Sequence, residues 1–316
     1  MNTAFYLSRS HDPCFNLAVE EHLLSICDRP TLYLWQNDNF VVIVRHQNPW
    51  TECDLADLEA GGGKLVRRLS GGGAVYHDLG NLNFTFLMPT GIYDQTRQNT
   101  VLLRAVQSVG IDASFTGRND LTADGRKFSG HAFCQRKSAA FHHGTLMVNS
   151  DLERMTSVLS PDAEKLRSKA IASVRSRVVN LRELAPSLTI ETLSNAVLAS
   201  FCAEYGPADD FTTDELPEAA ITPLREKYAS WDWRFGEAPR FEAELKKRFP
   251  WGGVSVYLEL RDACIVNARV YSDAMDPTLP ERLSSALQGL SYRPQAIADA
   301  LRSVNPDVAD WLAAAL

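Results

Sequence analysis

Apolar and polar positions divide this chain into short, mixed runs. In "HDPCFNLAVEEHLLSIC", Asp12 before Pro13 predicts an N-cap and a first helical residue, and Phe15, Val19, Leu23 and Ile26 then fall on one helical face. "TLYLW" and "FVVIVRH" predict strands, the second apolar enough to be covered on both sides. "KLVRR", "AVYH" and "LNFTFLM" predict three more, the last two joined through Asp78-Leu79-Gly80-Asn81 as a hairpin. "TVLLRAVQSVG" predicts an amphipathic helix closed by Gly110, residues 111–149 return to short strands and turns, and a helix over 189–205 ends at Gly206. After "SWDWRFGEAPRF" two strands, "GGVSVYLEL" and "CIVNARVYS", precede helices near 278–289 and 294–303 and a short one at the C-terminus.

This mixture predicts an α+β chain with mixed, largely antiparallel sheets and flanking helices, not a doubly wound fold. The change of character near residue 240 predicts two domains, 1–240 and a small α+β domain over 241–316, as a length of 316 residues allows. A formal net charge of −7 argues against a general nucleic-acid binder. No apolar run is long enough for a membrane span, and charges interrupt the first apolar run, so neither an anchor nor a signal peptide is expected. Cysteines 14, 27, 53, 134, 202 and 264 show no CxxC spacing. They predict reduced, buried thiols in a cytoplasmic protein, with no disulfide framework or zinc site.

Several constellations could carry chemistry. In "RRLSGGGAVYHDLGNLNFTF", Gly71-Gly72-Gly73 stand between predicted strands, with Arg67, Arg68 and Ser70 directly before them. Glycine here lets backbone N–H groups approach an anion; a plain turn is the bland alternative, and the flanking donors count against it. The spacing fits neither a Walker A loop nor a dinucleotide fingerprint. Gly61-Gly62-Gly63 reads as a helix-ending loop. In "GRNDLTADGRKFSGHAF", an Asp-Gly turn would bring Asn119 and Asp120 alongside Lys127 on adjacent strands. His142 and His143, adjacent on a predicted strand, point to opposite faces and cannot share a metal, which leaves structural or positioning roles. Residues 165–183 are basic and poor in apolar pattern, as fits either a solvated helix or a loop over a phosphate-bearing ligand. Cys134, near the lysine strand, is kept as a thiol nucleophile to be tested.

"DPCFNLAVEE", "VVIVRHQNPW", "RRLSGGGAVYHDLGN", "GRNDL", "RKFSGHAF", "FHHGTLMVN" and "SVRSRVVNL", in this order, closely resemble the bacterial lipoate–protein ligase A family. The resemblance spans nearly the whole chain, including "FPWGGVSVYLEL". It implies a catalytic domain related to biotin ligases, a small accessory domain, and a two-step reaction. Lipoate and ATP give lipoyl-AMP, and the lipoyl group then passes to an acceptor lysine. It implies that Arg68, Gly73, Ala74, Val75, Tyr76, Asn119, Asp120 and Lys127 bind ATP and lipoyl-AMP. Ser70, Gly71, Gly72, Gly73, His77 and Lys127 would bind lipoate. Lys127 would be catalytic, its cation lying between acyl carbonyl and α-phosphate, and Lys169, Ser173 and Arg175 would belong to an adenylate-binding loop. Mg²⁺ is implied with ATP, with Asp120 as its protein ligand, and Glu20, Arg45 and His77 would support the acyl pocket.

The implied acceptors are apo lipoyl domains of 2-oxoacid dehydrogenase E2 subunits and the glycine-cleavage H protein, met by a cytoplasmic monomer. An acceptor lysine, with its pKa near 10.4, must shed a proton. Either desolvation or a base such as Asp120 or His77 would serve. Two departures stand out: Cys134 where relatives have arginine, and Ala170 where they can carry glycine. Two other readings remain: an octanoyl or lipoyl transferase using a carrier-protein donor through a cysteine, and a non-catalytic lipoate-binding regulator.

Overall fold

Asp12 does cap the first helix. Its carboxylate accepts from the Cys14 N–H at 3.0 Å, and the helix runs Pro13–Ser25. The buried side is only in part the one that apolar spacing predicts. Val19 and Leu23 of the expected face are buried, but so are Asn16, Leu17, Glu20 and Leu24, whereas Phe15 is half-buried and Ile26 is 54% exposed. Two polar residues are drawn inward because partners wait for them. Asn16 Nδ2 donates to the Gln36 carbonyl at 2.8 Å, and Glu20 accepts from Thr85 Oγ1 at 2.7 Å.

The computed structural model describes residues 2–47, 49–116, 120–159, 177–235, 243–261 and 264–315. They form two compact units. The first is Met1–Ile43, Pro49–Arg68 and Ala74–Arg234; the second is Val44–Asn48, Leu69–Gly73 and Phe235–Leu316. In the first, the strands are β1 (Thr3–Leu7), β2 (Thr31–Trp35), β3 (Phe40–Ile43), β4 (Lys64–Arg67), β5 (Val75–His77), β6 (Asn81–Pro89), β7 (Ala113–Thr116), β8 (Asp120–Ala123), β9 (Arg126–Gln135), β10 (Ala139–Met147) and β11 (Ala208–Thr212). Eight make one sheet in the order β11-β1-β2-β6-β10-β9-β8-β7, and three make a second, β4-β3-β5. Among the described strand pairs of these two sheets, β1–β11, β1–β2 and β3–β4 are parallel and the rest antiparallel, so the sheets are mixed and largely antiparallel.

The predicted hairpin between "AVYH" and "LNFTFLM" does not form. Its turn does: Asp78 Oδ1 accepts from the Gly80 N–H at 2.9 Å. The Gly80 carbonyl, however, accepts from the N–H groups of Val148 and Asn149, and a Cβ at Gly80 would collide with the Asn149 backbone. The turn therefore hands the chain from one sheet to the other, with β5 pairing to β3 and β6 to β2 and β10.

One face of the large sheet carries the apolar core. Helices Gln95–Ser108 and Ile190–Tyr205 bury Leu102, Val106, Val197 and Phe201 with Phe84, Phe86 and Phe128 of the strands. A polar chain crosses that core: Gln98 Oε1 to His142 Nδ1 at 2.9 Å, His142 Nε2 to His131 Nδ1 at 3.0 Å, and His131 Nε2 to Ser129 Oγ at 2.9 Å. Taking Gln98 as acceptor sets every proton in the chain and leaves both imidazoles neutral. His142 and His143 do face opposite ways, since His143 Nδ1 bonds Glu20 Oε1 at 2.8 Å on the other side of the sheet.

The second unit holds the antiparallel sheet β12 (Ala243–Phe249), β13 (Gly252–Arg261) and β14 (Cys264–Ser272), with helices Leu279–Leu287, Pro294–Leu301 and Pro306–Ala315. Val256, Leu258, Val270, Leu283, Leu301 and Leu312 form its core. Strand β12, "AELKKRF", escapes sequence reading because its charges hide the alternation. The cysteines are all free, but only Cys53 and Cys134 are buried; Cys14, Cys27 and Cys202 are half-buried and Cys264 is exposed. Among the described residues no helix is long and apolar enough to cross a membrane.

The histidine chain makes stability pH-dependent. Burial, with Lys127 and His143 adding to it, pushes His131 from the ordinary 6.5 down to about 3, and burial sends His142 well below its usual range. Unfolding lets both protonate, so the stability they contribute is complete above pH 6.5 and is lost as pH falls from there toward 3. Replacing His131→Asn is expected to make the fall in Tm between pH 7 and pH 5 shallower, as read from thermal melts; an unchanged slope would contradict this.

Candidate functional site

Lys127 owes its position to a bulge. Asp124 and Gly125 both have positive φ, 52° and 68°, as a tight hairpin between β8 and β9 demands. From that turn Ala123 pairs with Arg126 and Thr122 with Lys127, but Leu121 pairs with Ser129 and Asp120 with Gly130. Phe128 is the extra residue. In an unbroken strand Lys127 would share a face with Ser129 and His131; the bulge turns it to the face of Gly130. A Cβ on Gly130 would lie 3.0 Å from Lys127 Nζ, so the ammonium rests where glycine leaves room. It bonds Asp120 Oδ1 at 2.8 Å, and both side chains are nearly half-exposed. The backbone is fixed as well: Lys127 N–H donates to the Arg177 carbonyl at 2.8 Å, and its carbonyl accepts from Val179 at 2.9 Å.

A row of residues continues from there across five strands. Asp120 pairs with Gly130, the Gly130 N–H donates to Thr145 Oγ1 at 3.4 Å, Thr145 pairs with Asn83, and Asn83 with Trp35. The adjoining row holds Ala132, His143, Thr85 and Tyr33. Over it lies the helix bearing Glu20, whose carboxylate serves both Thr85 and His143 while Thr85 Oγ1 also accepts from Trp35 Nε1 at 3.1 Å.

Arg68, directly after β4, is buried beside this wall. Burial pushes its guanidinium down to about 10, and Glu20 pulls the other way. His77, at the end of β5, stands edge-on to Trp35 with ring centroids 6.1 Å apart. Burial, reinforced by Arg68 and His143, pushes it down to about 3. Its tautomer follows from its neighbours. Asn37 Oδ1 accepts from Asn16 Nδ2, so Asn37 Nδ2 donates to His77 Nδ1, which leaves the proton on Nε2. His77 therefore presents a donor to the site and is a poor base.

The structure thus brings Arg68, His77, Glu20, Asp120 and Lys127 to one sheet face. Tyr76, next to His77 in β5, points to the other face of that strand and is buried there, its hydroxyl donating to Asn39 Oδ1 at 3.3 Å, while Ala74 and Val75 are half-exposed. Asn119, Lys169, Ala170, Ser173 and Arg175 lie outside the described residues, as do Lys165 and Arg167. Asn83 and Thr85 are missed by motif reading, yet a signal exists. In "NLNFTF" polar Asn81, Asn83 and Thr85 alternate with Leu82, Phe84 and Phe86 in a strand buried on both sides, which marks a polar wall on one of them. Among the described residues no group of three His, Cys, Asp or Glu side chains could hold a metal. Cys134 is buried and its thiol is pushed up to about 11, mainly by desolvation.

Ser70 and the glycine triplet belong to the second unit. The Ser70 carbonyl accepts from the Arg45 N–H at 3.2 Å, and Arg45 pairs with Glu281 at 3.4 Å. At Gly71 the close neighbour is protein, because a Cβ there would run into the Ala274 carbonyl oxygen and the Met275 backbone. Gly72 has φ 99°, and at Gly73 a Cβ would meet nothing within 4 Å. Gly71→Ala is expected to destabilise the protein by about 1–3 kcal/mol through overpacking and Gly73→Ala by less. Paired urea melts read the difference, and equal midpoints would contradict it.

Residues 12–202 match the lipoyl protein ligase A/B catalytic domain, and residues 238–310 match the bacterial lipoate protein ligase C-terminus. LipL1 of P. falciparum, solved in complex with lipoate, superposes with a TM-score of 0.85 at 25% identity over 99% of this chain and 100% of that one. A bipartite lipoate protein ligase of Thermoplasma acidophilum, studied with its E2 lipoyl domain, gives 0.70 at 28% identity over 77% of this chain and 100% of its own. A lipoate–protein ligase A bound with ATP gives 0.65 at 28% identity, covering 75% and 99%. In sequence, in fold and in both matched regions, this chain belongs to the lipoate–protein ligase family.

Proposed function

We propose that this protein is an ATP-dependent lipoate–protein ligase, with residues 1–240 carrying the chemistry and 241–316 accessory to it. The observation that carries the reading is Lys127: a strand-anchored, half-exposed ammonium turned by a bulge onto the polar sheet face that also receives Arg68 and His77. Bringing lipoate to ATP means bringing together two anions, and preorganised donors favour that only if they need not rearrange.

In the first step a carboxylate oxygen of lipoate attacks the α-phosphorus, the bond to the bridging oxygen breaks, and pyrophosphate leaves. Lys127 would stabilise the negative charge gathering on the phosphoryl oxygens. In the second step the acceptor amine attacks the lipoyl carbonyl, the amide forms, and AMP departs. The same ammonium would then lie against the carbonyl oxygen as it becomes an oxyanion. Arg68 remains charged at neutral pH even at about 10, and supplies a second cation, this one buried. Asp120 holds Lys127 at 2.8 Å until the anions arrive; once released, it is placed to take the acceptor ammonium's proton, which His77 as a donor is not. Magnesium arriving with ATP would draw chiefly on phosphate oxygens, with Asp120 as a single carboxylate ligand, and would neutralise phosphate charge when bound. The roles of Ser70 to Tyr76 in holding lipoate and nucleotide, and of Asn119, Lys169, Ser173 and Arg175 in the adenylate site, rest on family resemblance.

The T. acidophilum ligase was studied with its E2 lipoyl domain, which supports lipoyl domains as acceptors; 2-oxoacid dehydrogenase E2 subunits and the glycine-cleavage H protein as their source rest on family resemblance. The transferase reading needs a reactive thiol, and a buried Cys134 at about 11 counts against it.

Intact mass of an apo lipoyl domain incubated with this protein, lipoate and Mg²⁺ is expected to rise by one lipoyl group only when ATP is present. Lys127→Ala should slow that step by about 10²–10³ or more. A shift that instead needs octanoyl-carrier protein would replace the ligase reading with the transferase one.

A further inference from the structure

Asn83 is 1% exposed, and its Nδ2 has no acceptor among the described residues. Its orientation is fixed from the other side, since Oδ1 accepts from Asn81 Nδ2 at 2.9 Å. His77 repeats the pattern: 4% exposed, Nδ1 occupied by Asn37, and Nε2–H without an acceptor. Both residues flank Trp35, His77 by ring contact and Asn83 as its partner across β2 and β6. Two buried N–H donors left unmade beside one indole are costly to folding, and unlike Gln98 Nε2, which is unmet on the core side, they lie on the sheet face that carries Lys127. An acceptor from outside the chain is therefore called for at this point.

The acceptor's chemistry follows from its surroundings. Donors of this kind take oxygen far better than sulfur or an alkyl group. Asn83 lies in the cross-strand row that ends at Gly130, over which Lys127 Nζ rests. Two strand spacings separate Asn83 from Gly130, about 9–10 Å between backbones. A carboxyl group standing over Thr145 could accept from Lys127 with one oxygen and from Asn83 with the other. We propose that Asn83 is a substrate-binding residue, and that its side-chain amide, beside His77, donates to an oxygen of the substrate's carboxylate and then of the acyl-adenylate carbonyl.

This inference rests on the ligase reading, and the experiment separates the two. Titration calorimetry measures lipoate binding and, separately, ATP binding to the native protein, Asn83→Ala and Asn83→Asp, with Tm recorded for each. The aspartate keeps the acceptor that Asn81 uses and removes the donor. The expected result is native binding of both ligands, lipoate binding weakened about tenfold in Asn83→Ala and further in Asn83→Asp, ATP binding unchanged, and a Tm for the unliganded alanine variant within a few degrees of native or above it. If Asn83→Ala does not fold, Asn83→Asp alone decides. Native-like lipoate affinity in the variants overturns the inference and leaves the ligase reading standing. So does a parallel loss of Tm and of both ligands, which marks a purely structural asparagine. If the native protein binds neither lipoate nor ATP, the ligase reading itself fails and the inference with it.

Discussion

The site depends on one extra residue in a strand. A lysine on a regular β9 would point with Ser129 and His131 into the core under the helix Gln95–Ser108, where an ammonium has no place. Inserting Phe128 sends the phenyl ring into that core, where it is wholly buried, and sends Lys127 to the other side. Gly130 is then required beneath the lysine, Asp120 becomes its partner, and residues 177–179 fasten its backbone. In the proposed reaction, which serves an α-phosphate in one step and a carbonyl in the next, a cation whose backbone is fixed and whose tip can move would be an advantage. The bulge supplies the first, the exposed end of the side chain the second.

The two faces of the large sheet show how polar groups are managed differently. On the core side, the chain from Gln98 to Ser129 bonds each ring nitrogen and leaves both imidazoles neutral, with Gln98 Nε2 unmet at its end among the described residues. On the other side, Glu20, Thr85, His143 and Trp35 also satisfy one another, but His77 and Asn83 keep donors to spare. A face that is only partly satisfied is where a folded protein departs from its own optimum, and such departures gather where ligands bind.

Much of this was legible in the sequence. The Asp12 cap, the Gly206 stop, the Asp124-Gly125 turn and the Asp120–Lys127 pairing all follow from local rules, because local geometry decides them. What failed depended on partners far along the chain. The Asp78–Asn81 turn forms, yet pairing with β3 and with β2 and β10 outweighs the hairpin. The first helix turns Asn16 and Glu20 inward because their hydrogen-bond partners lie on distant strands. Glycine at position 71 is explained by the Ala274 backbone, two hundred residues away, which no motif reveals. Asn83 was hidden for the opposite reason: its alternation was visible, but the flanking Leu82 and Phe84 drew attention to the core.

The central claim is that this face activates a carboxylate by joining it to the α-phosphate of ATP. Pyrophosphate release measured with lipoate and Mg·ATP, in the absence of any acceptor domain, tests it most directly. The account predicts a burst that needs lipoate and stops near one pyrophosphate per protein, with lipoyl-AMP retained. Release that ignores lipoate, or none at all from a protein that still lipoylates or octanoylates an acceptor, would contradict it.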